Sequence, residues 1–272
     1  MKIGLIAGGG QFPLLFTQKA REKGYEVVAV GFNSETDIGL ADQVSHLKWL
    51  YLGQISKLVK YFKQHGICEA VMLGTISKTN IFRDIRPDFK ALAFIATTSR
   101  THDDSILTSF ADLLLKEGIQ IKPSTFLLPE LISPKGCWTR RSPDKSEKKD
   151  IYQGWKLAKE IGKLDIGQCI VISNGTVLAV EAIDGTDATI KRGAGLATGN
   201  GAVVVKLSKP GQDLRFDLPS SGCETIQTMI KSGATVLALE ANLSLSFDRE
   251  EMIRLADDHG ISIIALTDEQ IP

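Results

Sequence analysis

Three things are scarce in this sequence: excess charge of either sign, sulfur, and long apolar runs. Each shortage removes a class of protein. The 32 Lys and Arg residues are matched by 32 Asp and Glu, leaving a formal net charge of zero. The general attraction to polyanions that a basic excess confers is therefore missing, and nucleic acid is not expected as a partner. Four cysteines (Cys68, Cys137, Cys169, Cys223) lie far apart with no C-x-x-C pair, which suits reduced thiols in a cytosolic protein rather than a disulfide framework or zinc site. Four histidines (His46, His65, His102, His259) show no H-x-x-x-H spacing, and neither a G-x-S-x-G elbow nor a complete P-loop occurs. A Ser or Cys nucleophile has no support here. No run approaches the roughly 20 apolar residues that span a bilayer, and the run Met1–Ala7 is too short for a signal-peptide core. A soluble, cytoplasmic protein is the expectation, one that can still work on a lipid at a membrane surface.

What is present is a regular alternation. Apolar runs at Ile3–Ala7, Glu26–Val30, Glu69–Leu73 and Ile119–Ile121 read as strands, and Pro13 to Lys23, Ile55–Gln64 and Asp103 to Lys116 read as helices between them. Such β-α alternation implies a parallel sheet with helices on its faces. Between Ser133 and Asp150 turn formers and mixed charge replace apolar periodicity, so an interdomain linker is placed at 133–150, between domains at 1–132 and 151–272. The second half is again mixed: strands at Gln168–Ile172, Val177–Ile183, Ala202–Leu207, Thr235–Glu240 and Ile261–Leu266, with helices at Glu224–Ser232 and from Asp248 to His259, where Asp248 and Glu251 form a capping-box pattern. The glycine-rich stretch Gly193–Gly201 is either a lid or an ordinary loop.

Four patterns carry chemistry. Gly8-Gly9-Gly10-Gln11 sits between a strand and a helix, where backbone N–H groups and the helix N-terminus favour an anion. It is not G-x-G-x-x-G, and the second strand ends without a carboxylate for a ribose diol, so NAD is disfavoured and the choice lies between a phosphate contact and a tight turn. In Lys206 through Pro219, Asp213, Arg215 and Asp217 alternate with Leu214, Phe216 and Leu218. Read as a strand, this puts two carboxylates and a guanidinium on one face, with Lys206 and Lys209 upstream. That face can hold a divalent cation and phosphate, or be a plain row of ion pairs. Glu181, near the end of an apolar strand, needs a partner, a cation or water, while Thr186 or Asp187 can cap the next helix. Ser220 and Ser221, before a helix, offer hydroxyls to a phosphate or to the helix end.

Taken together these segments resemble the I-type UDP-2,3-diacylglucosamine pyrophosphatase family, LpxI. The matching pieces are Gly4-Leu-Ile-Ala-Gly-Gly-Gly-Gln-Phe-Pro13, Asp103-Asp104, Leu164-Asp-Ile-Gly-Gln168, Ala179-Val-Glu-Ala-Ile-Asp-Gly-Thr-Asp187 and Lys206–Pro219, in family order over nearly the whole chain. Ser220-Ser221-Gly222-Cys223 and Asn242 depart from the family's usual residues. The resemblance implies a Rossmann-like N-terminal domain and a C-terminal α/β domain, so the fold class expected is α/β. It implies hydrolysis of the UDP-2,3-diacylglucosamine diphosphate to UMP and 2,3-diacylglucosamine 1-phosphate, with Mg²⁺ or Mn²⁺. An essential aspartate is implied in the Asp213–Asp217 segment, Asp217 being favoured. Asp213, Asp217, Glu181 and Asp187 are then the candidate metal ligands. Gly8, Gly9, Gly10, Gln11, Lys206, Lys209, Arg215, Ser220 and Ser221 are the candidate substrate contacts. Peripheral contact with the inner membrane surface follows from a diacyl substrate, and a homo-oligomer is left open. The rival reading is a non-catalytic nucleotide-sugar or lipid-phosphate binding protein on the same scaffold.

Overall fold

In the computed structural model, which describes residues 1–77, 85–97, 103–198, 201–213, 215–216 and 218–272, the chain divides into two units. One is Met1–Pro129 with Asp213–Asp217, the other Glu130–Gln212 with Leu218–Pro272.

The first unit is built on β1 (Lys2–Ala7), β2 (Glu26–Phe32), β3 (His46–Leu50), β4 (Glu69–Leu73) and β5 (Gln120–Ile121), in the order β3-β2-β1-β4-β5. Every pairing is parallel, and the continuous burial of Val27–Val30 and of Ile3 with Leu5–Ala7 is what a sheet covered on both faces requires. Helix α1 (Phe12–Glu22) starts with Pro in its first turn, where the missing N–H costs nothing. Helix α2 (Ile55–Gln64) buries Ile55, Leu58, Val59 and Phe62, an i, i+3, i+4, i+7 stripe. Two more helices follow, α3 (Phe89–Thr97) and α4 (Asp103–Lys116). The strand order reverses between β1 and β4, and at such a switch point a crevice opens beyond the carboxyl ends of the strands. The Gly8–Gly10 turn emerges there.

The second unit has a mixed six-stranded sheet, ordered β6 (Gly136–Cys137), β13 (Ser262–Leu266), β11 (Ala234–Glu240), β9 (Ala202–Lys206), β7 (Cys169–Ser173), β8 (Thr176–Val180). The three central strands β13, β11 and β9 are parallel; β6, β7 and β8 pair antiparallel. A separate two-residue parallel pair joins β10 (Ser220–Ser221) to β12 (Leu245–Ser246). Alternation sends Val171, Val204, Leu237 and Ile263 to one face, under α6 (Thr186–Ala194), α7 (Cys223–Ser232) and α8 (Arg249–Asp258). Ile170, Ile172, Val203, Val205 and Val236 go to the other, under α5 (Lys145–Lys163) and its buried Trp155.

Several expectations change here. The 133–150 stretch is not bare linker: it supplies β6 and the start of α5. Asp144 caps α5 by accepting from the Glu147 N–H, and the Glu147 carboxylate reaches back to the Asp144 N–H, a reciprocal capping box hidden within a charge run. The other Glu147 oxygen takes Arg141 at 2.5 Å and Thr235 Oγ1 at 2.9 Å. Asp248 shows no side-chain cap bond; it sits in the left-handed region at φ +48°. Of the glycine-rich stretch read as either a lid or an ordinary loop, Gly193 lies within α6 so close to the sheet that a Cβ would stand 2.5 Å from Val171 Cβ. Residues 199 and 200 lie outside those described.

If 133–150 is anchored as seen, Asp144→Ala should lower stability by about 1 kcal/mol, and Glu147→Ala by about 2–3 kcal/mol because Arg141 then loses its partner. Urea midpoints unchanged in both variants would show that the segment is not docked.

Candidate functional site

Strand β9 is apolar from Ala202 to Val205 and then ends on Lys206, an ammonium only 6% exposed. A buried cation needs partners. Its Nζ donates to the Ser220 carbonyl at 2.6 Å, and among the described residues it forms no ion pair. Antiparallel pairing sets Cys169 of β7 opposite Lys206. The Cys169 thiol is pushed up first by burial and then by the charge of Glu181, against which Lys206 pulls it down and Asp187 adds to the rise. It stays a thiol, not a nucleophile. Glu181, just past β8 and buried, accepts from the Gln168 N–H at 3.2 Å and from Thr186 Oγ1 at 2.8 Å. Thr186 is thus occupied with Glu181, and Gly185, not Thr186 or Asp187, is the N-cap of α6; Asp187 falls in its first turn. Ser220 and Ser221 lead to the N-terminus of α7, capped by Gly222 without a side-chain bond. Ser221 Oγ and Gln168 Oε1 are buried and find no hydrogen-bond partner. Unsatisfied buried atoms of this kind ask for a water or a ligand. A buried cation, unpaired polar atoms and two helix N-termini are the ingredients of an anion subsite. Of the residues expected at the site, Lys206 touches the Ser220 carbonyl, and Glu181, Lys206 and Asp187 all act on the Cys169 thiol.

The loop after β9 is fixed by a second buried charge. Glu240 ends β11 at 2% exposure. One of its oxygens takes Lys159 of α5 at 2.5 Å and the other accepts from the Ser208 N–H at 2.9 Å. Gln212 Oε1 accepts from Ser208 Oγ at 3.1 Å and from the Lys209 N–H at 3.0 Å, closing the loop; its Nε2 is buried without a partner. Lys209 Nζ bridges to Asp165 at 2.7 Å, so its charge is already met. Sequence reasoning missed Glu240 and Lys159, and it gave Thr186 only a capping role where the structure gives it to Glu181. The signal that singled out Glu181, a carboxylate ending an apolar strand, was equally present at Glu240.

Asp213, Arg215 and Phe216 are not in a strand. Both Asp213 oxygens turn onto Arg215: Oδ1 accepts from the Arg215 N–H at 3.0 Å, and the guanidinium donates at 2.6–3.0 Å to both. An Asp bonding the backbone two residues on makes a local turn that competes with extended pairing, so Asp213 and Arg215 face each other instead of lining a strand. Thr108 of α4 donates to Asp213 at 3.3 Å, the Ser124 N–H to the Arg215 carbonyl at 3.0 Å, and Phe216 packs on the first unit's core. The Arg215 hydrogen bonds hold the Asp213 carboxyl below the usual carboxylate range, against burial. Asp217 lies outside the described residues. No group of three His, Cys, Asp or Glu side chains is placed to hold a metal among the described residues. With Asp213 bound to Arg215 and Glu181 to Thr186 and Gln168, the described carboxylates do not make a cation site.

In the first unit, the Gly8 N–H donates to the Leu73 carbonyl at 2.7 Å and the Gly9 N–H to the Thr75 carbonyl at 2.8 Å. A Cβ on Gly8 would stand 2.6 Å from that Thr75 oxygen. These two glycines therefore let the exits of β1 and β4 touch. Gly10, at φ +86°, faces open space, and Gln11 opens α1 without a side-chain cap bond. An anion at this turn would meet Gly10 and the first turn of α1 rather than the N–H groups of Gly8 and Gly9.

Comparison with known proteins covers both units. The family model for the LpxI N-terminal domain matches residues 2–131 and that for the LpxI C-terminal domain residues 134–264. A relative named UDP-2,3-diacylglucosamine pyrophosphatase LpxI, from Caulobacter vibrioides, is 32% identical over 281 residues, covering 100% of this chain and 99% of the relative. Likeness to solved structures is remote. The biotin carboxylase domain dimer of Hydrogenobacter thermophilus 2-oxoglutarate carboxylase is 13% identical with a TM-score of 0.27, over 64% of this chain and 35% of that one. The biotin carboxylase subunit of a pyruvate carboxylase has the same identity and TM-score, over 66% and 35%. The chain spans about a third of those proteins, and at such scores they carry no argument.

Pairing with Arg215 lowers the Asp213 pKa relative to the unfolded chain, so its stabilisation is complete at neutral pH and is lost as the pH falls through the folded value. For a partly exposed pair, Asp213→Asn should cost about 0.5–1 kcal/mol at pH 7, with the gap closing in acid. A gap that stays constant with pH in denaturation curves would mean that the pair does not form.

Proposed function

Because this chain belongs to the LpxI family, we propose that it hydrolyses the diphosphate of UDP-2,3-diacylglucosamine to UMP and 2,3-diacylglucosamine 1-phosphate, in lipid A biosynthesis. The end-to-end match to a relative of that name carries this reading. Hydrolysis joins a water oxygen to one phosphorus and breaks that atom's bond to the bridging oxygen, which departs on the other phosphate. Negative charge collects on the phosphoryl oxygens and on the leaving oxygen, so the protein's task is positioning and charge neutralisation rather than covalent chemistry.

Lys206 is the cation best suited to that task. It is buried, and it has a carbonyl but no carboxylate partner among the described residues. Lys209 and Arg215 are already tied to Asp165 and Asp213, so on this reading they orient the loop before they bind phosphate. Mg²⁺ or Mn²⁺ belongs to the same proposal; when bound it adds positive charge at the diphosphate, whose oxygens are its natural ligands. Asp217 remains the proposed essential carboxylate. Cytoplasmic work at the inner membrane surface is also proposed; no helix among the described residues is long and apolar enough to cross a membrane.

The non-catalytic binding reading has one observation in its favour, the engagement of both Asp213 oxygens by Arg215. UMP release from UDP-2,3-diacylglucosamine, with Mg²⁺ or with EDTA, separates the two. Release that EDTA abolishes is expected, with Lys206→Met and Asp217→Asn each slowing it by about 10²–10³. Substrate binding without release under either condition would make this a binding protein. Full activity of Lys206→Met would remove that residue from the site.

A further inference from the structure

Helix α3 carries a single charged residue, Lys90, in an otherwise largely apolar sequence. Ala91 is buried and Phe94 stands edge-on to Phe110 of α4 with ring centroids 6.2 Å apart, so one side packs as usual. The opposite stripe reads Phe89, Leu92, Ala96, at i, i+3 and i+7, and it is outward. Phe89 is 91% exposed and Leu92 52%, with Ile85 at 41% just before the helix. An outward Phe costs apolar hydration with no return in the folded chain, and a run of such residues on one helix face marks an interaction surface.

This face is held rigidly. Asp88 accepts from the Ala91 N–H at 3.0 Å and from the Ser56 N–H of α2 at 2.6 Å, the Arg86 N–H donates to the Leu52 carbonyl at 2.8 Å, and the Asp88 N–H donates to the Gly53 carbonyl at 3.0 Å. These bonds occupy the carboxylate beside Phe89. Cations stand beside it among the described residues. Arg86 stacks over the Tyr51 ring at 3.7 Å, and exposed Lys57 and Lys60 of α2 form no ion pair among the described residues. Lys63 and Lys90 share Glu117.

We propose that the Ile85–Phe89–Leu92 face with its basic rim docks on a membrane surface bearing anionic lipids. An apolar helix stripe flanked by Lys and Arg is what inserts at the headgroup boundary, the rim meeting the negative surface potential. A second copy of the chain fits less well, because a two-fold contact opposes each patch to itself and would bring the cationic rims together. The proposal deepens the reading of a lipid-linked substrate by naming the face that meets the bilayer.

Co-sedimentation of the full chain with phosphatidylcholine vesicles, with and without phosphatidylglycerol, tests it. Wild type should bind only the anionic vesicles. The double substitution Phe89→Asp with Leu92→Asp should weaken binding at least about tenfold at an unchanged circular dichroism spectrum, and Lys57→Glu with Lys60→Glu about tenfold. Equal binding of the apolar double variant and wild type would overturn the proposal. So would a concentration-dependent dimer that the same substitutions disperse, which would give the face to a second copy. Vesicle binding in a protein that releases no UMP would sink the hydrolase reading and leave this surface standing.

Discussion

The carboxylate of Glu240 sets the terms for the second unit. It ends the apolar strand β11 at 2% exposure, where an unpaired charge would cost several kcal/mol. The chain resolves this by bringing Lys159 from α5 to one oxygen and the Ser208 N–H to the other. One ion pair therefore ties the helix covering one face of the sheet to the loop leaving its neighbour β9. That loop, closed by Gln212, begins directly after Lys206 and Leu207. The position of the proposed phosphate-binding cation and the path of the chain beyond it thus trace back to a single buried charge and its partners.

Lys206 shows the complementary situation. Glu240 is met by protein groups on both oxygens, whereas Lys206 has a carbonyl and no carboxylate among the described residues, and in the same unit Ser221 Oγ and Gln168 Oε1 are buried and unpaired. Interiors rarely leave such atoms unsatisfied without a reason. The two charges differ in their partners: Glu240 is met by a cation and a backbone N–H, Lys206 by a carbonyl, and the proposed function gives the remainder of the Lys206 shell to the substrate. Cys169 illustrates the same distinction from the other side, since burial keeps its thiol protonated and removes it from the chemistry despite its place opposite Lys206.

Most of the sheet scaffold was legible because parallel, doubly covered strands write themselves as apolar runs, and β1, β2, β4, β9, β11 and β13 are such runs. β3 was not: His46–Leu50 is a half-exposed edge strand whose Lys and Trp break the pattern. Helix α5 hid in a charge run, because its buried side is carried by Ile151, Trp155 and Ala158 among many lysines. Near the proposed site, that Glu181 would need partners could be anticipated from its place at the end of an apolar strand. The fold of 213–217 could not. Alternating Asp and Arg satisfy the period of a strand, yet the same residues two apart bond each other locally, and only the three-dimensional contacts with Thr108 and Ser124 decide between them.

Those five residues have a wider meaning. They come from the second half of the sequence and belong to the first unit, where Phe216 completes the apolar packing and Arg215 closes a backbone bond with Ser124. The polypeptide thus passes between units three times, near 129, 212 and 217, rather than once. A recombination event or a gene split near residue 130 would hand each descendant an incomplete body, one missing part of its own core and the other carrying a foreign piece of it. The two halves are consequently heritable only together: what looks like a pair of modules in the sequence is, for evolution, one indivisible object.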